Sequence, residues 1–237
     1  MTITPTIHHW PISVVPQNQV FYAPGQGISG AYTVGGANAL SPEPGGVAFL
    51  EMDFNYANTT GNARIISWLM SQIANGSVFR IPIVKSVQVL QASDIGVTVP
   101  DSYETVGVPW EQDGSDLLWD QNIGWAYELN VKATAHYLAG VTSITLDMAN
   151  YNQKLLPGHV IGHQGRAYAV MRISYDDSDA ATLTISPPLR AEMKPNDDVT
   201  LSPTMIGKVK DPASFRSKYE YGQYIKPGPI TFIEALV

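Results

Sequence analysis

The sequence predicts a mainly β protein, built of β-sandwich or barrel domains with a single amphipathic helix in the N-terminal half. Three observations lead to this fold class. From Ala126 onward, short stretches typical of strands recur at intervals of about 8–12 residues with turn formers between them. Only residues 60–75 place apolar side chains at helical spacing. Apolar residues make up 44% of the chain, which is enough to build a core.

The first 46 residues are interrupted by proline and glycine too often to hold a helix. We therefore interpret this segment as an extended arm or a set of edge strands. Such an arm can cross onto an adjacent subunit. Its candidate contact residues are Trp10, Val20, Phe21 and Tyr22.

A strand, a helix and a second strand follow. Val47–Phe54 alternates in a way that gives one apolar face. Residues 59–62 offer N-caps for the helix, and Asn75-Gly76 provides its C-terminal stop. Residues 78–90 return to strand, with Pro82 at a bulge or an edge. The helix stripe consists of Ile65, Ile66, Leu69, Met70 and Ile73.

Residues 91–124 form a long acidic insertion that contains tryptophans. A long loop in a compact domain is usually functional or a contact element. We expect it to bind another protein, and stacking of sugars on its aromatic rings is the alternative. The candidate interaction residues are Trp110, Trp119, Trp125, Asp113, Asp116 and Asp120.

The predicted division has two domains. Residues 1–125 form an N-terminal, ring-forming β domain with the helix and the acidic insertion. Residues 126–237 form a C-terminal barrel-like β module, whose last strand, residues 230–236, can return to the first domain.

Composition excludes several classes of protein. The net charge of −7 argues against non-specific nucleic-acid binding, which needs a basic face. The absence of cysteine excludes disulfides, thiolate zinc sites and cysteine nucleophiles. No apolar run approaches the roughly 20 residues that span a bilayer, and the start of the chain lacks the pattern of a signal peptide. We expect a protein that stays in a cytoplasm or in something assembled there.

No catalytic set, cofactor site or metal site is predicted. His159 and His163, with Asp147, have the residue types of a zinc site, but the glycines around them favour a hairpin. The acidic residues Asp176, Asp177 and Asp179 could ligate calcium, or simply close a turn. Glu51 and Asp53 share one face of a strand, where a solvated face is the better interpretation than a pair of catalytic carboxylates.

Two stretches carry a resemblance to a known family. The first is the strand–helix–strand unit that ends Val78-Phe79-Arg80-Ile81-Pro82, which resembles the N-terminal part of siphophage distal tail proteins and related minor tail proteins. The second resembles a β module of phage tail and gene-transfer-agent-like proteins. Its segments are Ala139–Asp147, Leu155–Gly162, Arg166–Tyr168, Thr184–Arg190 and Val199–Leu201.

The resemblance covers about half of the chain and implies a structural, non-enzymatic protein of the virion tail. Such proteins form a ring, often hexameric, that joins the tail tube protein to tip, hub or baseplate proteins. DNA passes through the lumen without specific binding, and the tail is assembled in the host cytoplasm. A receptor- or carbohydrate-binding tail-tip protein is the alternative, and a tail terminator or hub component a more distant one. The acidic insertion is not part of the family pattern.

Overall fold

The computed structural model describes most of the chain. The described residues are 6–11, 13–23, 26–32, 38–42, 46–55, 59–84, 86–90, 94, 110–112, 115–117, 129–151, 154–215, 218–220 and 224–236. They confirm the predicted fold class: strands dominate, and the one α-helix of the described residues is α1, Thr60–Ala74. No helix in these ranges has the length and apolar character needed to cross a membrane.

A six-stranded sheet has the order β1-β6-β15-β18-β5-β2, in which β1 and β6 are parallel and all other neighbours are antiparallel. Its strands are β1 (Ile7–His9), β2 (Pro16–Tyr22), β5 (Phe49–Phe54), β6 (Val78–Pro82), β15 (Thr204–Val209) and β18 (Ile230–Glu234).

A closed antiparallel barrel has the strand order β10-β13-β12-β11-β14-β9. Its strands are β9 (Asn130–Ala133), β10 (Ser143–Asp147), β11 (Val160–His163), β12 (Arg166–Tyr175), β13 (Ala180–Ser186) and β14 (Asp198–Thr200), with a short 3₁₀ turn at Ala149–Tyr151.

Three separate two-stranded ribbons complete the described strands, and each pairs only within itself in the described ranges. They are β3 (Gln26–Tyr32) with β4 (Asn38–Pro42), β7 (Trp110–Gln112) with β8 (Ser115–Leu117), and β16 (Lys218–Glu220) with β17 (Tyr224–Lys226).

Helix α1 begins and ends where its local sequence dictates. Thr59 is the N-cap, and its hydroxyl accepts a hydrogen bond from the Asn62 N–H at 3.2 Å. Asn75 is the C-cap, and Gly76 follows at φ +72°, where glycine carries no Cβ penalty. The buried stripe packs on one face of the sheet and consists of Ile66, Leu69 and Ile73.

Aromatic rings fill the core between helix and sheet. Trp10 packs edge-on against Phe232, with ring centroids 5.6 Å apart, and is stacked near Phe54 at 5.9 Å. The Trp10 indole N–H donates to the Val14 carbonyl at 2.8 Å, so this buried polar group is satisfied. Trp10 and Phe21 are therefore components of their own chain's core.

The barrel is an insertion within the sheet domain, and this differs from the division expected at residue 125. Residues 129–202 lie between β6 and β15, which are hydrogen-bonded neighbours in the sheet. Both β15 and β18 thus belong to the sheet, whereas sequence pattern placed β15 in the second module. The reason is that strand pairing is non-local, and nothing inside the β15 sequence identifies its partner.

Two glutamines hold the far edge of the sheet. The Gln88 side chain donates to the Phe21 carbonyl at 2.8 Å and accepts from the Phe21 N–H at 2.7 Å. It therefore makes with β2 the two backbone hydrogen bonds that a neighbouring strand would make. Buried Gln19 donates to the Pro82 carbonyl at 2.8 Å and accepts from the Val84 N–H at 2.8 Å. The chain that leaves β6 is therefore tied to β2 before it enters the barrel.

Gly162 lies where β11 passes close to the end of β14 and the segment that follows it. A Cβ at this position would lie 2.7 Å from Thr200 Cγ2 and 3.0 Å from Pro203 Cα. We predict that Gly162→Ala lowers the free energy of unfolding by about 1–3 kcal/mol, because overpacking forces backbone shifts. Gly61→Ala is the control, since its Cβ would meet nothing closer than 4.0 Å, and it should be neutral or slightly stabilising. Urea unfolding measures both; equal stability of the two variants would contradict the prediction.

Candidate assembly surfaces

One face of the sheet packs on α1, and the other carries an exposed cluster that we call the outer-face cluster: Tyr22, Phe49, Glu51 and Lys210. The Tyr22 and Phe49 rings are stacked with centroids 5.4 Å apart. The Lys210 ammonium lies over the Phe49 ring at 5.1 Å, and the Tyr22 hydroxyl donates to Glu51 at 2.9 Å. Burial, reinforced by the Glu51 carboxylate, raises the pKa of Tyr22, so its hydroxyl remains a donor.

The cluster lies on β2, on β5 and just beyond the end of β15, beside a row of register partners that crosses four neighbouring strands. Register pairs Tyr22 with Phe49, Phe49 with Ile233, and Ile233 with Lys208. Val20 lies beside this row, with 42% of its surface exposed. A surface with aromatic rings, a branched aliphatic side chain and a few charges has the composition of a protein contact surface.

The β3–β4 ribbon continues directly from this part of the sheet. It joins the end of β2 to the start of β5, next to the Tyr22–Phe49 pair. Its longer strand has seven residues, about 20 Å of extended chain. An isolated two-stranded ribbon is at best marginally stable in water, so a partner that covers it would stabilise it. Edge strands of this kind invite pairing with another chain.

A buried ion pair holds the barrel on the sheet. Arg190, just after β13, donates to both carboxylate oxygens of Glu234 on β18, with distances of 3.0 Å from Nε and 2.8 Å from Nη2. Glu234 also accepts from the Ala48 N–H at 3.2 Å, and Arg190 Nη2 donates to the Gly46 carbonyl. The carboxylate is almost completely buried, so these donors replace the water that it loses on folding.

Two further barrel residues support this junction. Arg166 donates to the Ala235 carbonyl, with its Nη1 3.9 Å from the Glu234 carboxylate. The Tyr168 hydroxyl accepts from the Arg190 N–H at 3.1 Å. Burial raises the pKa of Tyr168, which keeps the phenol neutral beside the ion pair. The sheet and the barrel therefore form a defined body from which the ribbons emerge.

The expected inter-subunit arm divides into two parts. Trp10 and Phe21 are buried in the core, so they cannot contact a neighbour, and this part of the interpretation is corrected. Their apolar side chains stabilise the sheet of their own chain. Val20 and Tyr22 are exposed on the outer face. Beyond Tyr22, the rest of the segment expected to form the arm contains the β3–β4 ribbon.

The acidic insertion contains a described ribbon, β7–β8. Trp110 begins β7 and is paired in register with Leu117, and Asp116 of β8 is paired with Glu111. The other expected interaction residues, Trp119, Trp125, Asp113 and Asp120, lie outside the described residues.

The two barrel histidines are each engaged separately. His159 Nδ1 accepts from the Leu156 N–H at 3.0 Å. Burial lowers the pKa of His159, opposed by the charge of Asp94, so the ring favours its neutral form. His163 is buried, with its ring nitrogens 3.2 and 3.4 Å from the carbonyl oxygens of Asp198 and Glu192. Asp147 instead accepts from the Ala149 N–H.

The acidic turn is a hairpin turn. Asp176 Oδ1 accepts hydrogen bonds from the Ser178 N–H, the Ser178 hydroxyl and the Ala180 N–H, at 2.8–2.9 Å. These donors lower the pKa of Asp176. Asp179 adopts φ +61°, which short polar residues tolerate in turns. Among the described side chains, no group of three or more His, Asp or Glu residues has the arrangement of a metal site.

Sequence reasoning missed Arg190, Glu234 and Lys210. Charged residues are only 15% of the chain, and buried charges are nearly always paired. Glu234 ends a largely apolar strand, at a position that shares a face with Ile230 and Phe232. Its position on the apolar face of the strand is the one sequence signal that could have identified Glu234 as a buried carboxylate that needs a partner.

No protein-family model matches this chain, and no curated protein does.

We predict that Arg190→Met lowers the free energy of unfolding by about 3–5 kcal/mol, because it leaves the Glu234 carboxylate buried without its main partner. Arg172→Met is the control: Arg172 is exposed on the barrel, and its loss should change stability by less than about 0.5 kcal/mol. Guanidinium unfolding followed by tryptophan fluorescence measures both. A similar effect of the two substitutions would show that the junction is not stabilised by the ion pair.

Proposed function

We propose that this chain is a structural, non-enzymatic component of a bacteriophage tail: a distal tail protein that assembles with copies of itself into a ring. The ring would join the tail tube protein to the tip or baseplate proteins within the virion, and it would be assembled in the host cytoplasm. The proposal rests on the resemblance of the strand–helix–strand unit and of the barrel segments to tail proteins.

One observation carries the self-assembly: the sheet continues into a two-stranded ribbon that pairs with no other described strand. The β3–β4 ribbon leaves the sheet beside the outer-face cluster, where Tyr22 and the neighbouring Val20 are exposed. A ring needs two different complementary surfaces on each subunit, since its interfaces are head to tail. A protruding ribbon and an exposed sheet face are two such surfaces. Pairing of the ribbon with a neighbour would also remove its open edges.

The barrel and its junction support a structural role in a second way. Arg190, Glu234, His159 and Asp176 are each occupied by hydrogen bonds that hold the fold. A distal tail protein needs a second module in a fixed orientation to meet the next component of the tail. The Arg190–Glu234 ion pair provides that fixed orientation.

We predict that the purified protein forms a closed ring of about six copies. Six copies of the 25.8-kDa chain have a mass of about 155 kDa. Native mass spectrometry and negative-stain images measure the mass and the central hole. A protein that remains monomeric over the micromolar range would contradict the proposal. The receptor-binding alternative would then be tested on a glycan array with Trp110→Ala.

A second prediction tests the ribbon. Replacement of residues 24–45 by a short glycine-containing turn should leave a folded monomer, because Tyr22 and Phe49 still pair at the base of the hairpin. The assembly should be lost, while the thermal unfolding midpoint changes little. As a control, the β16–β17 turn, residues 221–223, is replaced by Asn-Gly. A ring that forms without residues 24–45 would show that the ribbon is not the inter-subunit contact.

A further inference from the structure

Arg80 has a buried side-chain nitrogen without an acceptor. The residue lies on β6, on the face of the sheet away from α1, because Phe79 and Ile81 on either side of it are completely buried in the core beneath the helix. The Arg80 Nε is buried and has no hydrogen-bond partner. The ion pairs of the described residues do not include Arg80 either. Buried polar groups are nearly always paired, so this nitrogen needs an explanation.

The turn between β11 and β12 lies against one edge of the Arg80 guanidinium. Gly165 in this turn has φ +74°, and a Cβ added to it would lie 3.5 Å from both Nε and Nη2 of Arg80. These two nitrogens form an edge that can donate to two oxygen atoms side by side. A side chain at position 165 would cover that edge, whereas glycine leaves it uncovered.

A second arginine of the same chain shows which ligand suits this edge. Arg190 donates from its Nε and Nη2 to the two oxygens of the Glu234 carboxylate, at 3.0 and 2.8 Å. The planar carboxylate matches the geometry of the guanidinium, and the attraction is strongest where water is excluded. Arg80 has the same edge in a buried position, and no carboxylate of the described residues is paired with it.

His9 provides a second donor next to Arg80. Strands β1 and β6 are parallel, and their register pairs His9 with Arg80. The preceding residue, His8, contacts the rings of Trp68 and Phe79 on the side of α1. Alternation along the strand therefore places His9 on the same face as Arg80. His9 is exposed and β1 is an edge strand of the sheet, so a ligand can reach this face from solvent.

We propose that Arg80 and His9 form a binding site for a carboxylate group, which Arg80 holds through its Nε and Nη2 beside the β11–β12 turn. The carboxylate belongs either to a small molecule in solution or to an exposed acidic side chain of a second copy. The chain has 21 acidic and 14 basic residues, so a second copy is a source of this chemistry. The site goes beyond the proposed function, because a small carboxylate can occupy it without assembly.

Arg80→Met tests the site by thermal unfolding of dilute protein. Without a carboxylate ligand, the midpoint should rise by about 2–4 °C, because the substitution removes a buried donor that has no acceptor. Sodium acetate in place of sodium chloride, at constant ionic strength, should then raise the midpoint of the unmodified protein more than that of Arg80→Met. His9→Ala should reduce this response without abolishing it.

The matched control is Arg64→Met, since Arg64 is exposed on α1. It should respond to acetate like the unmodified protein, which separates binding at Arg80 from the general effect of the salt on stability. If Arg80→Met does not fold, Gly165→Asn replaces it. Asparagine tolerates positive φ, and its side chain would cover the Nε–Nη2 edge, so the response to acetate should be lost although Arg80 is present.

Assembly distinguishes the two sources of the carboxylate. If a second copy supplies it, Arg80→Met should assemble at least about tenfold more weakly than Arg64→Met, and acetate should compete with assembly of the unmodified protein. If a small molecule supplies it, the two variants should assemble equally and differ only in their response to acetate. Native mass spectrometry measures the assembly in each case.

Two results would overturn the site. The first is an Arg80→Met variant that matches Arg64→Met both in its response to acetate and in assembly. The second is a lower midpoint of Arg80→Met without acetate, which would show that the guanidinium is already paired within its own chain. A protein that never assembles but loses its acetate response in Arg80→Met would overturn the proposed ring and support the carboxylate site.

Discussion

The pairing of β6 with β15 is the constraint on which the arrangement of the molecule depends. Register places Thr204 opposite Pro82, and the Ile83 N–H donates to the Pro203 carbonyl at 3.0 Å. The two chain segments that enter and leave the barrel are thus held side by side. With its two ends fixed by a sheet ladder, the barrel retains little orientational freedom. The Arg190–Glu234 ion pair and the Gln88 contacts with Phe21 then need to select only one orientation.

How much of this fold could be predicted depends on how local each signal is. The helix was predictable because its cap at Thr59, its stripe and its stop at Gly76 all lie within one short stretch. The barrel strands were predictable because turns separate them at regular intervals. The insertion of the barrel into the sheet was not predictable, because β15 and β18 pair with strands that lie more than a hundred residues upstream. The sequence of a strand does not show which distant segment it will pair with once the loop between them has closed.

The candidate assembly surfaces were harder to predict than the fold, because they depend even more on contacts between distant residues. Of the four residues expected to form the arm, Val20 and Tyr22 are exposed. Proline and glycine around them also suggested that Trp10 and Phe21 form an arm, but apolar area favours burial wherever a core lies within reach. The partner of Glu234 was invisible in sequence because Arg190 lies 44 residues away and reaches it only when barrel and sheet are in place. Buried ion pairs are selected by three-dimensional geometry, which pattern alone does not contain.

Charge is distributed unevenly along the chain. Outside residues 91–124, acidic and basic residues balance, because each number is 14. Within the described residues, the Arg190–Glu234 pair is buried at the junction of barrel and sheet, whereas the Lys132–Asp198 pair is half-exposed on the barrel surface. The net charge of the chain thus comes from residues 91–124, while the charge that fixes the barrel on the sheet is a single buried ion pair.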